Sequence, residues 1–311
     1  MLNRTFKGAL ATCAVFALVP FLAAPDAVRT YVSGNFTAEI AGMDAFLLKS
    51  FDGGVAVAMP ATRTRTNDYT DKSPGALKYE DAELRVGFSA PKPLWDWVSA
   101  FSTPSKPTSK EVVINALDYT MTSKSRRQLG ATTLSKVVFP GCDGSSKEPA
   151  YVTLDLTPTR FHEIAGTGKT TSTLVGRSEQ KTWLPSNFRL TIDGLDTSKV
   201  NKIEPITITH SAGGSPDYSN LVITMSEVTS TSMKQWMNQV LDPVSKGAAV
   251  FQEKKGKLEF LSPDQAKVLL TLVFEGLGPV KLLLDKVEAN ADQIKRVTAE
   301  LYVERITVIA P

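Results

Sequence analysis

At 311 residues, with 42% of them hydrophobic, the chain has room for two domains of ordinary size, each with a packed core. A net charge of +3, with the basic residues scattered in short knots such as Arg126-Arg127 and Lys254-Lys255, leaves no concentrated basic surface of the kind specific nucleic-acid binding needs.

Residues 1–28 stand apart. Arg4 and Lys7 precede a stretch from Gly8 to Pro25 that carries no charge, the layout of a secretory signal peptide or N-terminal leader. Pro20 interrupts the stretch, which falls short of the ~20 apolar residues a membrane helix requires, so no stable membrane span is expected. Cys13 lies inside this leader, and a chain that loses it keeps only Cys142 and forms no internal disulfide. The expectation is a secreted protein; the other reading keeps the leader as an N-terminal arm.

Beyond the leader, short runs rich in Val, Thr, Ile, Leu and Phe are broken by Gly, Pro, Asn and Asp, which predicts a mainly β protein. Strands are expected at Asn35–Ile40, Ala45–Asp52, Ala82–Phe88, Glu111–Met121, Leu134–Val138 and Ala150–Leu156. After them come Asn187–Ile192, Ile203–His210, Leu221–Met225, Ala248–Glu253, Gly256–Phe260, Val268–Phe274, Val280–Val287 and Ala299–Ile306. Two short helices are expected. Pro93 suits the first position of Leu94–Phe101, and Ser230, Thr231 or Ser232 can cap Met233–Val240. Met59–Ala76 reads as a long charged loop carrying Arg63, Arg65, Asp68, Asp71 and Lys72. The polar stretch 166–186 reads as a linker.

The chain also repeats itself. Asn35–Asp44 is echoed by Asn187–Asp196 with five of ten positions identical. Trp97 then matches Trp236, Leu129-Gly130 matches Leu277-Gly278, Lys136-Val137 matches Lys286-Val287, and Val152–Leu156 matches Ala299–Val303. Landmarks in one order predict two copies of one module, 29–165 and 187–311, with one short helix in each.

Chemistry is sparse. Gly166-Thr167-Gly168-Lys169-Thr170 lacks the earlier glycine of a phosphate loop, since position 163 is Glu, and no helix pattern follows it. His162 and His210 stand far apart in sequence, and no metal-ligand spacing or G-x-S-x-G elbow occurs. No catalytic, cofactor-binding or metal-binding residue is therefore predicted, and the chain reads as a non-enzyme without a cofactor.

A resemblance emerges from the first copy. Phe36, Ile40 and Gly42 open it, and Lys72-Ser73-Pro74-Gly75 leads into Leu77–Gly87, with Tyr79 and Leu84. Leu94-Trp95-Asp96-Trp97 and the Val137–Gly141 run follow. In this order they resemble the tail-tube proteins of contractile-tailed phages, over most of Thr30–Ile164. The resemblance implies two tandem tail-tube-like β-sandwich or barrel domains and a structural role. Subunits of that family form rings whose inner wall is a continuous β-barrel, and the rings stack into a hollow tube, as in phage tails and phage-derived injection or secretion particles. It implies homo-oligomeric rings, sheath-like or baseplate-like partners, and a stacking role for the Met59–Ala76 loop. Family rings are commonly sixfold, so two copies per chain imply a trimer of pseudo-sixfold symmetry. The leader departs from phage tail tubes and points to an extracellular tube, the alternative being a phage-like particle assembled in the cytoplasm. The competing reading of the whole chain is a secreted, monomeric two-domain β-sandwich binding module.

Overall fold

The computed structural model describes residues 34–41, 43, 45–64, 70–105, 107–170, 183–210, 214–246, 252–284 and 295–310. The leader at 1–28 and most of the linker lie outside them, as do Arg65 and Asp68.

In the first half, alternating apolar residues build β1 (Asn35–Ile40), β2 (Phe46–Leu48), β3 (Ser50–Gly53), β4 (Ala56–Thr64), β5 (Thr70–Tyr79) and β6 (Ala82–Val86). Helix α1 (Lys92–Phe101) follows, then β7 (Lys110–Leu117), β8 (Ser123–Phe139), β9 (Cys142–Asp143), β10 (Val152–Thr157) and β11 (Arg160–Ala165). The second half contains β12 (Phe188–Ile192), β13 (Val200–Ile203), β14 (Ile206–His210), β15 (Pro216–Tyr218) and β16 (Leu221–Ser226). Helix α2 (Thr231–Lys246), β17 (Lys254–Leu261), β18 (Val268–Leu284) and β19 (Arg296–Ile309) complete it. Among the described residues the protein is mainly β with two α-helices, as the sequence indicates.

The strand order is β2-β1-β7-β8-β10-β6-β3 in one sheet and β12-β17-β18-β19-β16-β13-β9 in the other. Without β2 and β9, both halves trace the same path: first strand, strand after the helix, long strand, closing strand, strand before the helix, second strand. The details agree as well. β8 and β18 are each 17 residues long. In each, the ninth residue takes a left-handed conformation, Ala131 at φ 44° and Gly276 at φ 63°. In each, the thirteenth residue is left out of the pairing with the closing strand, a β-bulge at Ser135 and at Val280. The bulges set Lys136 opposite Asp155 in one half and Lys281 opposite Glu300 in the other. The structural match is therefore Lys136 with Lys281 and Leu156 with Leu301, two residues away from the sequence echo at the closing strand. Lys286 and Val287 lie outside the described residues.

The helices correspond in the same way. Both pack one apolar face inward, with Leu94, Trp95, Trp97, Val98 and Phe101 buried in α1 and Met233 and Trp236 buried in α2. The Trp97 indole donates to the Thr108 carbonyl at 3.1 Å, and that of Trp236 to the Gln252 carbonyl at 3.3 Å. Each acceptor sits two residues before the next strand, so each indole fixes how the chain leaves its helix. Lys92 is the first helical residue of α1, which moves Pro93 to the second position; there its missing N–H still costs nothing.

Several expected elements change. Ala45–Asp52 splits at Lys49 into β2 and β3, and Ile203–His210 splits at Glu204-Pro205 into β13 and β14. Val268–Phe274 and Val280–Val287 fuse into β18, because the Gly276 turn and the bulge absorb the breakers between them. Gln252 and Glu253 lie outside any strand, whereas 248–251 fall outside the described residues. Met59–Thr64 and Thr70–Ala76, expected within a long charged loop, lie in the paired strands β4 and β5, and 65–69 fall outside the described residues. The polar run Ser123–Gln128, expected in no strand, is the first part of β8. Pro158, which has no N–H to give a ladder, separates β10 from β11 where β19 runs unbroken.

One hydrophobic cluster runs through both halves, from Ala38 to Val308. At its middle, Phe260 of β17 stacks on Phe88 at 4.8 Å and meets Trp183 at 5.2 Å and Phe139 at 6.3 Å. Trp183, at the end of the expected linker, is 2% exposed and donates its indole proton to the Asn187 carbonyl.

One buried charge sits near this core. Glu259 accepts from Arg189 at 2.6 Å, directly across the β12–β17 ladder, and from Lys257 at 2.9 Å, with only 8% of its side chain exposed. The Arg189 hydrogen bond holds its carboxyl below the usual carboxylate range, with Lys257 adding to the effect. A depressed acid contributes stability above its unfolded pKa of about 4.3, and loses it as pH falls through the folded value. Arg189 is more than half exposed, so solvent screens the pair. Glu259→Gln should therefore cost about 1 kcal/mol at pH 7. Urea denaturation at descending pH should show the difference from wild type closing below about pH 4.3.

Candidate assembly surface

The two halves meet edge to edge. β14 of the second half pairs antiparallel with the end of β8 in the first, Ile206 opposite Phe139, Thr207 opposite Val138, Ile208 opposite Val137 and Thr209 opposite Lys136. β9, just after β8, pairs with β13 through Cys142–Ile203 and Asp143–Lys202. Phe139, Val137, Ile206 and Ile208 are all buried, so this seam excludes water. At the far end of the hairpin, the Tyr218 hydroxyl donates to the Ser102 carbonyl at 2.7 Å. His210 is hydrogen-bonded through Nε2 to the Phe101 carbonyl and lies over the Phe101 ring at 4.4 Å. The hairpin of the second half is thus seated on the sheet edge and helix end of the first.

The corresponding hairpin of the first half, β4–β5, has no such seat among the described residues. It lies between β3 and β6 as β14–β15 lies between β13 and β16, but forms a separate two-stranded sheet. Its strands are exposed almost throughout. Val55-Ala56-Val57-Ala58-Met59-Pro60-Ala61 is an apolar run at its base, with Met59 53% exposed and Leu77, opposite Ala58, 60% exposed. Arg63 and Asp71 face each other further out, with Lys72 beside them. An isolated two-stranded ribbon is marginally stable in water, and apolar residues held out on one mark a surface made for a partner.

A second unpaired surface lies at the end of β18. Lys281, Leu282, Leu283 and Leu284 pair with Glu300, Ala299, Thr298 and Val297 of β19. Among the described residues no strand pairs with their other edge. Val280, Leu283 and Leu284 are 51%, 48% and 61% exposed. Sequence reasoning places Leu134–Val138, Ile203–His210 and Val280–Val287 in strands but assigns none of their edges to an interface. The signal present was the apolar run Val280–Leu284, with Lys281 its only charge.

The residues weighed for chemistry are scattered. His162 is exposed on β11, His210 belongs to the seam, and Cys142 is buried, its thiol pushed far above the usual range by desolvation. Gly166–Thr170 runs back along the start of β8, with Gly168 N–H donating to the Ser123 carbonyl and Thr170 bridged to Thr122. Among the described residues no group of three or more His, Cys, Asp or Glu could hold a metal. Nor is any helix of them long and apolar enough to cross a membrane. The open cleft formed by Lys199, Asn201, Ser226, Val228, Thr229 and Arg296 presents two cations and no acid–base pair.

Compared with known proteins, the chain matches no family model and no curated protein. It does match solved structures. One is a chain of the sheath–tube complex of an extracellular contractile injection system, at 16% identity and a TM-score of 0.40, covering 44% of this chain and 93% of that one. Another is the tube-terminating cap of the anti-feeding prophage, at 15% identity and a TM-score of 0.41, covering 47% and 99%. A third is Hcp1 from Flavobacterium johnsoniae, at 19% identity and a TM-score of 0.28, covering 40% and 95%.

Proposed function

We propose that this protein is a structural subunit that assembles with copies of itself into rings stacked as a hollow tube. One observation carries the reading. Two modules with the same strand path are joined edge to edge in one chain, each placing a strand edge or hairpin where the other has the complement. A joint between unlike surfaces of like modules is head-to-tail, and such joints generate closed rings when the rotation closes. Closing a sheet between subunits also removes the unpaired edges that would otherwise aggregate.

In this reading 29–165 and 187–311 are tandem duplicates joined by 166–186, and three chains form a pseudo-sixfold ring. The leader directs the subunit out of the cell, and sheath-like or baseplate-like proteins bind the finished tube. The subunit has no catalytic role; its work is to shape a passage.

Full-length chain, purified and imaged by negative-stain electron microscopy, should show rings or hollow tubes, and native mass spectrometry should give three chains per ring. Six chains per ring would overturn the pseudo-sixfold trimer. A monodisperse monomer at high concentration would overturn the tube and favour a secreted binding module. The mass of the secreted product should show the leader removed.

A further inference from the structure

The seam inside the chain shows how the arm left outside it is used. Counting from the shared bulge, Lys136, Val137, Val138 and Phe139 of β8 correspond to Lys281, Leu282, Leu283 and Leu284 of β18. In the first set Lys136, Val137 and Val138 are paired on both edges, with β10 on one side and β14 on the other, and Phe139 pairs with β14. The second is paired with β19 alone among the described residues. Phe139, opposite Ile206, is fully buried, whereas Leu284 at the matching place is 61% exposed. The same comparison holds for the donors. β14 is seated on β8, while β4, from the equivalent hairpin, pairs with β5 only and holds Ala56, Ala58 and Met59 in solvent. Among the described residues, each chain thus carries one completed joint, one donor strand with a free outer edge and one unpaired acceptor edge.

We infer that the base of β4 in one chain pairs antiparallel with Val280–Leu284 of a second copy, repeating between chains the β14–β8 joint within each. The occupant is a second copy because the acceptor repeats the geometry of an interface this chain already makes with its own equivalent hairpin. The pairing is strand addition to an open edge, in which main-chain hydrogen bonds supply affinity and alternate side chains fit apolar positions. Met59 and Leu77 on the arm, with Leu283 and Leu284 on the edge, are the apolar residues available to be covered. This places the arm inside the ring joint rather than between stacked rings. The inference rests on the tube reading, since a monomer would have no use for either surface.

Three full-length proteins test it: wild type, Met59→Asp on the arm and Leu284→Asp on the edge. Both substituted positions are exposed, so each variant should keep the wild-type circular dichroism and melting temperature as a monomer. Wild type should form rings, and each variant should reduce ring species at least tenfold. Ala58→Cys mixed with Leu284→Cys and a short bis-maleimide should give a cross-linked dimer that neither protein gives alone. Rings at wild-type levels from both variants would overturn the inference and leave the tube reading standing. Loss of stacking by Met59→Asp, with Leu284→Asp normal, would overturn it in favour of an arm between rings. A double Cys variant that cross-links only within one chain would overturn the second copy as occupant. Wild type that forms no rings and no cross-link would overturn both readings together.

Discussion

Phe260→Ala should lower stability by about 3–5 kcal/mol, the largest loss expected from any single side chain of this fold. Phe260 is fully buried and touches aromatic rings contributed by the first half, by the linker end and, through Phe139, by the seam strand. Removing the ring leaves a cavity walled by Phe88, Trp183 and Phe139, which are held by their own strands and cannot all collapse into it. For a chain of this size the loss corresponds to a fall in melting temperature of roughly 10 °C. The shape of the transition is equally informative. With one core through both halves, wild type should unfold in a single calorimetric transition. Phe260→Ala should broaden or divide it, because the contact that ties the halves together is weakened more than either half. Phe260→Leu, which refills part of the space, should recover much of the loss. A melting point within 2 °C of wild type for the alanine variant would mean that the aromatic cluster is not the tie between the halves.

Gly53→Val should be nearly as damaging for a different reason. Gly53 ends β3 at φ +75°, and a Cβ there would stand 2.2 Å from the backbone oxygen of Asp81. A left-handed conformation costs a β-branched residue about 1–3 kcal/mol, and overpacking against backbone adds a similar amount. Together these give a loss of about 2–5 kcal/mol. Gly168→Val separates the two causes. It has φ +65° with no atom within 4 Å of the added Cβ, so it should show the strain alone. Thermal denaturation of the two variants side by side gives the clash by difference. Since Gly53 also sets the direction in which β4 leaves the body, the variant should lose assembly even where it stays folded.

Much of this architecture could be read from residue order because the signals are local. Alternation placed β1, β6, β10, β12, β16 and β17 within a residue or two, and the spacing of apolar residues found both helices. The features on which the proposed assembly rests were less legible. Ser123–Gln128 has no apolar face, since that part of β8 is flanked by β7 and β11 and has little to bury. Pro60 and Pro74 argue against strands, yet they face each other in a ribbon with no further partner, where a missing N–H breaks no other ladder. Trp183 lies among polar linker residues and is drawn into the core by Phe88 and Phe260, a long-range effect that no local pattern records. The hardest to see was the seam, because which edge meets which depends on pairing between residues from opposite halves of the chain.

The seam within each chain also bears on how dilute a solution can still assemble. Joining two modules covalently makes their mutual contact intramolecular, at an effective concentration on the order of millimolar for a short flexible connection. Half the joints of a ring built from such chains are made as each chain folds, before any encounter with another. Ring formation then depends on a lower power of chain concentration than it would for single-module subunits. On the proposed tube reading, two like modules in one chain would favour complete rings where scarce subunits would otherwise stall as open fragments.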